Sequence, residues 1–222
     1  MAYDGIVTRA VVRELQNNIL LGKIEKVYQP EADELVFHIH TKNGNSKLFA
    51  SAGSAHARLH FIESNPVNPP APLSFCMLLR KHLQGGRITA VKQKDSERII
   101  EISLETLNEL GFTVSKKLIF EIMGKHSNII LCDDNNTILD SIKHISAQTS
   151  SVREVLPGRP YFIPNTSDKI NPLEADRKHF DETVFTKPVP VVKALLSSYT
   201  GISTCIAEEL AYRAGVDGGH PA

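Results

Sequence analysis

Two polar segments of this sequence carry side chains able to do chemistry. Asp95-Ser96-Glu97-Arg98 lies between strand-like runs and is flanked by Lys92 and Lys94. A guanidinium can stack on a base or fork a phosphate, and an adjacent carboxylate can accept from amino groups or 2′-hydroxyls. Glu97 beside Arg98 therefore suits recognition of RNA. The same residues also fit a solvated turn with a weak surface ion pair. Arg80 and Arg87 extend this stretch, and Lys92 and Lys94 give it a local excess of positive charge suited to phosphate contacts. The second segment is Met123-Gly124-Lys125-His126-Ser127-Asn128. There Lys125, His126, Ser127 and Asn128 cluster on a turn whose glycine lets backbone approach a ligand.

Other constellations carry less. His38 and His40 share one face of a strand, and His56 and His60 lie four apart, but neither pair has a third metal ligand at a useful spacing. No nucleophile elbow, Walker loop or dinucleotide fingerprint occurs. Cys76 sits in an apolar helical stretch and reads as core. Asp133-Asp134-Asn135-Asn136 lacks the distal ligands of a calcium loop and reads as a hairpin turn. No catalytic residue, metal or cofactor is expected.

The elements that position these groups follow from hydrophobic spacing. Thr8–Leu21 reads as a helix, with Thr8 as cap, Val12, Leu15 and Ile19 on one face, and Gly22 as stop. Strand patterns cover Lys23–Gln29, Glu34–Thr41 and Ser46–Ser51, with Asn43-Gly44 as a hairpin turn. Four prolines between Ser64 and Pro72 predict an extended connection. Ser74–Leu83 reads as an amphipathic helix closed by Gly85-Gly86. Strands resume over Arg87–Lys94, Arg98–Leu104, Val114–Met123, Asn128–Cys132 and Ile138–Lys143. The expected class is α+β, built on a β-sandwich. Residues 165–187 are polar with little period. Val189–Tyr199 and Ser203–Ala214 read as two helices joined by Thr200-Gly201-Ile202, either a helix-hairpin-helix whose turn at Gly201 could hold a phosphate or an ordinary helical hairpin.

Composition narrows the function classes. The 222 residues hold 25 basic and 25 acidic side chains, so coating of nucleic acid by bulk charge is a poor fit. Residues 1–100 carry 13 basic against 9 acidic groups, and residues 101–222 carry 12 against 16. The 3 cysteines are widely spaced, which gives no disulfide framework or zinc ribbon and fits a reduced cytoplasmic protein. No apolar run approaches the ~20 residues that span a bilayer, and the first residues do not read as a signal peptide. A membrane role is not expected.

Several runs in a fixed order resemble the N-terminal domain of the NFACT family of ribosome-associated quality-control factors. They are Asp4-Gly5 with Glu14-Leu15, then Met77-Leu78-Leu79-Arg80-Lys81-His82-Leu83 with Gly86 and Ile88. Glu97-Arg98-Ile99-Ile100 follows, then Met123–Leu131, then Leu156-Pro157-Gly158 with Tyr161 and Pro164. The resemblance covers nearly the whole chain. It implies a domain related to the N-terminal domain of formamidopyrimidine-DNA glycosylases over residues 1–180, followed at 181–222 by the truncated start of a helix-hairpin-helix domain. It also implies binding of obstructed large ribosomal subunits carrying peptidyl-tRNA, and recruitment of alanyl-tRNA for tailing of stalled chains. The family's Asp-Arg pair implicated in tRNA work maps onto Glu97-Arg98, with Glu in place of Asp.

Two rival readings attach to the same resemblance. A DNA glycosylase would need an N-terminal proline nucleophile, and Ala2 and Tyr3 stand there instead. A fibronectin-binding adhesin is the other, since family members often carry that label, but the sequence shows no secretion or anchoring signal.

Overall fold

The computed structural model describes residues 3–164 and 168–220. Ala2, which bears on the glycosylase reading, lies outside the described residues. The elements in chain order are α1 (Gly5–Ile19), β1 (Lys23–Tyr28), β2 (Glu34–Thr41), β3 (Gly44–Ser51), β4 (Arg58–Phe61), α2 (Ser74–Leu83) and β5 (Arg87–Gln93). These are followed by β6 (Ile99–Leu107), β7 (Thr113–Glu121), β8 (Asn128–Asp133), β9 (Ile138–Ser141), α3 (Arg177–Thr183), α4 (Val191–Ser198) and α5 (Thr204–Arg213). The α+β class stands.

The strands form one nine-stranded sheet in the order β4-β3-β2-β1-β5-β6-β7-β8-β9. Two separate sheets were expected. The sheet is continuous because β1 pairs with β2 on one side and meets β5 at Lys23 and Arg87 on the other. It nevertheless folds over on itself. Phe37 of β2 and Phe120 of β7 meet edge to face with ring centroids 6.3 Å apart. Strands four steps apart in a flat sheet would be separated by about 19 Å. The inner faces of the two halves are therefore packed together, as in a sandwich, without a break in the hydrogen-bonded ladder. Alternation supplies that core: Leu35, Phe37 and Ile39 on β2, and Ile100, Ile102 and Leu104 on β6, are all buried.

Local chemistry shifts several expected boundaries. The cap of α1 is Asp4 rather than Thr8. Asp4 Oδ1 accepts from the Ile6 and Val7 amides at 3.0 Å each, and Thr8 Oγ1 donates back to the Asp4 carbonyl. The β2–β3 turn consists of Lys42-Asn43, because Thr41 already faces Gly44 across the ladder. Beyond its start, β1 diverges from β5, and the Val27 carbonyl is satisfied from α2 by Arg80 Nε at 2.8 Å and Cys76 Sγ at 3.4 Å. β4 and α3 had no counterpart in the sequence reading.

The chain divides into two compact units. One comprises Val11–Lys92 and Ile99–Pro164 and contains the sheet. The other gathers Met1–Ala10, Gln93–Arg98 and Asn165–Ala222. The helical unit thus includes two segments distant from it in sequence. Its core is Val184, Val191, Ala194, Leu195, Tyr199 and Ala207. No helix among the described residues is long and apolar enough to cross a membrane.

Candidate nucleic-acid interface

The turn that carries Glu97 and Arg98 belongs to the helical unit. Asp95 and Ser96 have φ values of +43° and +62°, and the Glu97 amide donates to the Lys94 carbonyl at 2.6 Å. Two successive left-handed residues make this a tight hairpin turn of the primed type, where glycine or asparagine is usual. Each non-glycine residue in that region costs about 1–2 kcal/mol, so something must hold the turn.

Its neighbours do. Gln93 Nε2 donates to both the Gly5 carbonyl (2.8 Å) and the Glu97 carbonyl (3.0 Å). Ser96 Oγ and Asn171 Oδ1 lie 2.6 Å apart, and Thr200 Oγ1 donates to the Asp95 carbonyl at 3.3 Å. Gly5 N donates to the Gly201 carbonyl at 2.9 Å. Three backbones converge so closely that only glycine fits. A Cβ on Gly5 would lie 2.4 Å from the Ser96 carbonyl oxygen, and one on Gly201, at φ +71°, would lie 2.1 Å from it.

The brace uses up the groups around the turn and leaves the two functional ones. Among the described residues, neither the Glu97 carboxylate nor the Arg98 guanidinium has a hydrogen-bond or ion-pair partner, and they do not pair with each other. Arg98 is exposed and Glu97 half-buried. The ion pair here is Lys94 with Asp95 at 3.0 Å, largely solvated. Lys92, on β5 in the sheet unit, is exposed, as is Arg87.

The remaining flagged residues divide. Arg80 is half-buried and committed: besides its bond to Val27, its guanidinium lies over the Tyr28 ring at 5.6 Å. Ser127 and Asn128 are buried. Ser127 Oγ accepts from the Met123 amide at 2.8 Å. Asn128 Nδ2 donates to the Lys143 carbonyl at 2.9 Å, and its Oδ1 accepts from the Lys143 amide at 3.1 Å. Both side chains hold the fold, which removes them as surface contacts; Lys125 and His126 remain exposed on the intervening 3₁₀ turn. Next to this turn, the buried Glu121 carboxylate is gripped by Arg153 at 2.6 Å and by the Tyr161 hydroxyl at 2.9 Å. Burial, and then the Glu121 charge, push the Tyr161 hydroxyl's pKa up.

Gly201 serves the close backbone approach. The phosphate expected at its turn meets an obstacle, since Asp4 Oδ2 already receives Ser203 Oγ at 2.6 Å. Ser203 is the N-cap of α5, accepting from Ile206 N. A carboxylate thus stands beside the N-cap of α5. Asp4 and Ser203, 199 positions apart in sequence, went unread as a pair. Cys76 and Cys132 are buried, and burial pushes the Cys132 thiol up to about 12, as befits inert core cysteines.

These features define an α+β protein with one continuous nine-stranded sheet and a second unit that presents a braced polar turn. The chain belongs to the NFACT family: residues 4–222 match its N-terminal and middle domains. A relative named Rqc2 homolog RqcH, from Bacillus subtilis, is 39% identical over 217 residues, covering 97% of this chain and 38% of the relative. The chain therefore spans under two-fifths of that protein's length. A more distant relative, ribosome quality control complex subunit 2 of Saccharomyces cerevisiae, is 24% identical over 170 residues, covering 76% of this chain and 16% of the relative. The solved N-terminal domain of fibronectin-binding protein PavA from Streptococcus pneumoniae superposes with a TM-score of 0.88. It is 34% identical, covering 96% of this chain and 80% of that one.

Proposed function

We propose that this chain is the N-terminal, tRNA-binding part of a cytoplasmic ribosome-associated quality-control factor. The full protein binds obstructed large ribosomal subunits carrying peptidyl-tRNA and recruits alanyl-tRNA, so that alanine is appended to the stalled chain. Peptide-bond chemistry stays with the ribosome. In this reading the sheet unit is related to the N-terminal domain of formamidopyrimidine-DNA glycosylases, and α4 and α5 begin a helix-hairpin-helix domain.

The observation that carries the proposal is the pair of unpartnered groups, Glu97 and Arg98, on a turn whose strain is balanced by other residues. A rigid display of a free guanidinium and carboxylate suits reading of RNA, because little order has to be gained on binding. Lys92 and Lys94 add phosphate contacts, and Arg87, Lys125 and His126 are further exposed candidates for RNA or ribosome contact. Membership of the family and the names of the relatives support this reading. Fibronectin binding rests on what the PavA structure is called. No feature of this chain adds to it.

Full-length Arg98→Ala protein, in cells lacking the native factor, is the test. Loss of alanine tailing on a stalled reporter, with normal protein level and melting temperature, is the expected result. Wild-type tailing by the folded variant removes the role.

A further inference from the structure

The outer face of β1–β4, within the sheet unit, is unlike the other strand surfaces. His38 stands in a cross-strand row with Lys26 on one side and Lys47 on the other. Two residues along, a parallel row runs Tyr28, Val36, Phe49, His60. Arginines cover two of its rings, of which Phe49 is itself buried. The Arg80 guanidinium lies over Tyr28, and the Arg58 guanidinium lies 5.1 Å from the Phe49 ring centroid. A basic row beside a ring-bearing row is the composition by which single-stranded nucleic acid is bound on sheets, with phosphates held by cations and bases stacked on rings.

The surface also contains a shaped site. Tyr28, Val36 and His38 face Asn65, Pro66 and Asn68 of the proline-rich segment across a cavity of about 110 Å³. Val36 is fully buried and can only be its floor. Tyr28 and His38 are inclined at 60° with ring centroids 5.1 Å apart, so they form two walls of a slot. Lys47 Nζ donates to the Glu63 carbonyl at 2.7 Å, which ties down the start of the segment that makes the third wall. The cavity is well below the ~300 Å³ of an ordinary drug-sized site, so it has room for one flat ring. Among the described residues the Tyr28 hydroxyl and the Asn68 amide have no hydrogen-bond partner, and they can meet the edge of a ring held in the slot.

Electrostatics select the ring. Burial is the largest effect on His38 and lowers its pKa, and Lys47 and Lys26 lower it further; its hydrogen bond with Asn65 acts the other way, and Glu25 opposes least of all. The lowered pKa favours the neutral imidazole, which can stack on or hydrogen-bond to a neutral base. The phosphates fall to Lys26 and Lys47 on either side. A carbohydrate would not need the flanking cations.

We propose that the slot between Tyr28, His38 and the proline-rich segment binds a single unpaired nucleobase of RNA, with Lys26 and Lys47 holding its flanking phosphates. The site rests on the RNA-binding reading above but not on the Glu97–Arg98 turn, and it gives the sheet unit its own RNA contact.

The test uses the 222-residue chain and an eight-nucleotide single-stranded RNA carrying one central 2-aminopurine, followed by fluorescence and anisotropy. Wild type is expected to quench the reporter and to bind this RNA more tightly than the same oligomer with an abasic central position. Tyr28→Ala is expected to weaken binding between about five- and a hundredfold, the range of one base–aromatic stack. Tyr28→Phe keeps the ring and is expected to retain most of the affinity, which separates stacking from a folding defect. Asn68→Ala, a change on the exposed segment, is expected to reduce quenching with an unchanged melting temperature. Equal affinity for the abasic oligomer, or wild-type quenching by Tyr28→Ala, overturns the slot. If Arg98→Ala alone abolishes binding of tRNA while Tyr28→Ala binds the oligomer normally, the slot fails and the tRNA reading survives. Absence of any RNA binding by wild type overturns the slot at once. The tailing assay then decides the tRNA reading separately.

Discussion

The two polar turns that drew attention in the sequence have opposite constructions. In the Lys94–Arg98 turn the bracing is done from outside, by Gln93, Asn171, Thr200 and the glycines at 5 and 201, and among the described residues the Glu97 and Arg98 side chains are left without partners. In the Met123–Asn128 turn the bracing comes from the turn's own polar residues. Ser127 and Asn128 are buried in hydrogen bonds to backbone, while Lys125 and His126 face solvent. A polar residue on a turn is available for binding only if something else holds the turn. That distinction separates a display site from a structural knot, and residue type alone does not reveal it.

Asn128→Ala should have the largest effect. It removes the side-chain acceptor of the Lys143 and Ile129 amides, while the Lys143 carbonyl keeps Ser141 Oγ. Each orphaned buried group costs about 1–3 kcal/mol, so a loss of about 4 kcal/mol is expected in denaturant unfolding. A loss below about 1 kcal/mol would mean the turn is held by other groups and the contrast is wrong.

Gly201→Ala comes next. The new methyl meets the Ser96 carbonyl at a position already left-handed, and a loss of about 3 kcal/mol is expected from overpacking and backbone strain together. The same variant should lose RNA affinity along with stability, because it displaces the turn itself. Asn128→Ala protein that stays folded under the assay conditions should keep that affinity. Measuring both quantities on both variants sharpens the comparison.

Asp95→Gly should move stability the other way, and least. It relieves a left-handed non-glycine residue, worth about 1–2 kcal/mol, but adds chain entropy and removes the solvated pair with Lys94. The net expectation is a gain of about 0.5 kcal/mol, read as a rise of about 1–2 °C in melting temperature. A fall of several degrees would show that the Asp95 side chain itself holds the turn.

The sequence made most of the sheet readable. Apolar runs, alternating on β6 and continuous on β8, located eight of the nine strands, and α2 came out with its bounds unchanged. β4 escaped because only Leu59 of its four residues is buried, and α3 because its face is polar and its signal is the Asp176 cap rather than a period. The sheet's continuity was hidden for a different reason. Alternation tells which face is buried, but not which strands are neighbours.

The candidate site was legible in its charged members and not in its supports. Glu97 and Arg98 announce themselves by type and setting. The Asp4–Ser203 bond and the Gly5–Ser96–Gly201 convergence join residues far apart in the chain, and no local pattern encodes them. Arg80 misled because a basic residue in a basic stretch reads as solvent-facing until its carbonyl partner, Val27, is seen. Ser127 and Asn128 misled because hydroxyl and amide side chains serve surfaces and buried backbone equally well.

The central claim is that Arg98 is held free of partners so that it can engage tRNA. Its most direct test is an anisotropy titration of full-length Arg98→Ala and wild-type protein with tRNA over a range of salt concentrations, at equal melting temperature. The expected result is an affinity loss of about tenfold or more with the slope of log K against log salt shallower by about 1, the signature of one lost cationic contact. Unchanged affinity and slope would show that Arg98 does not touch the RNA, and would contradict the account of the turn as a display site.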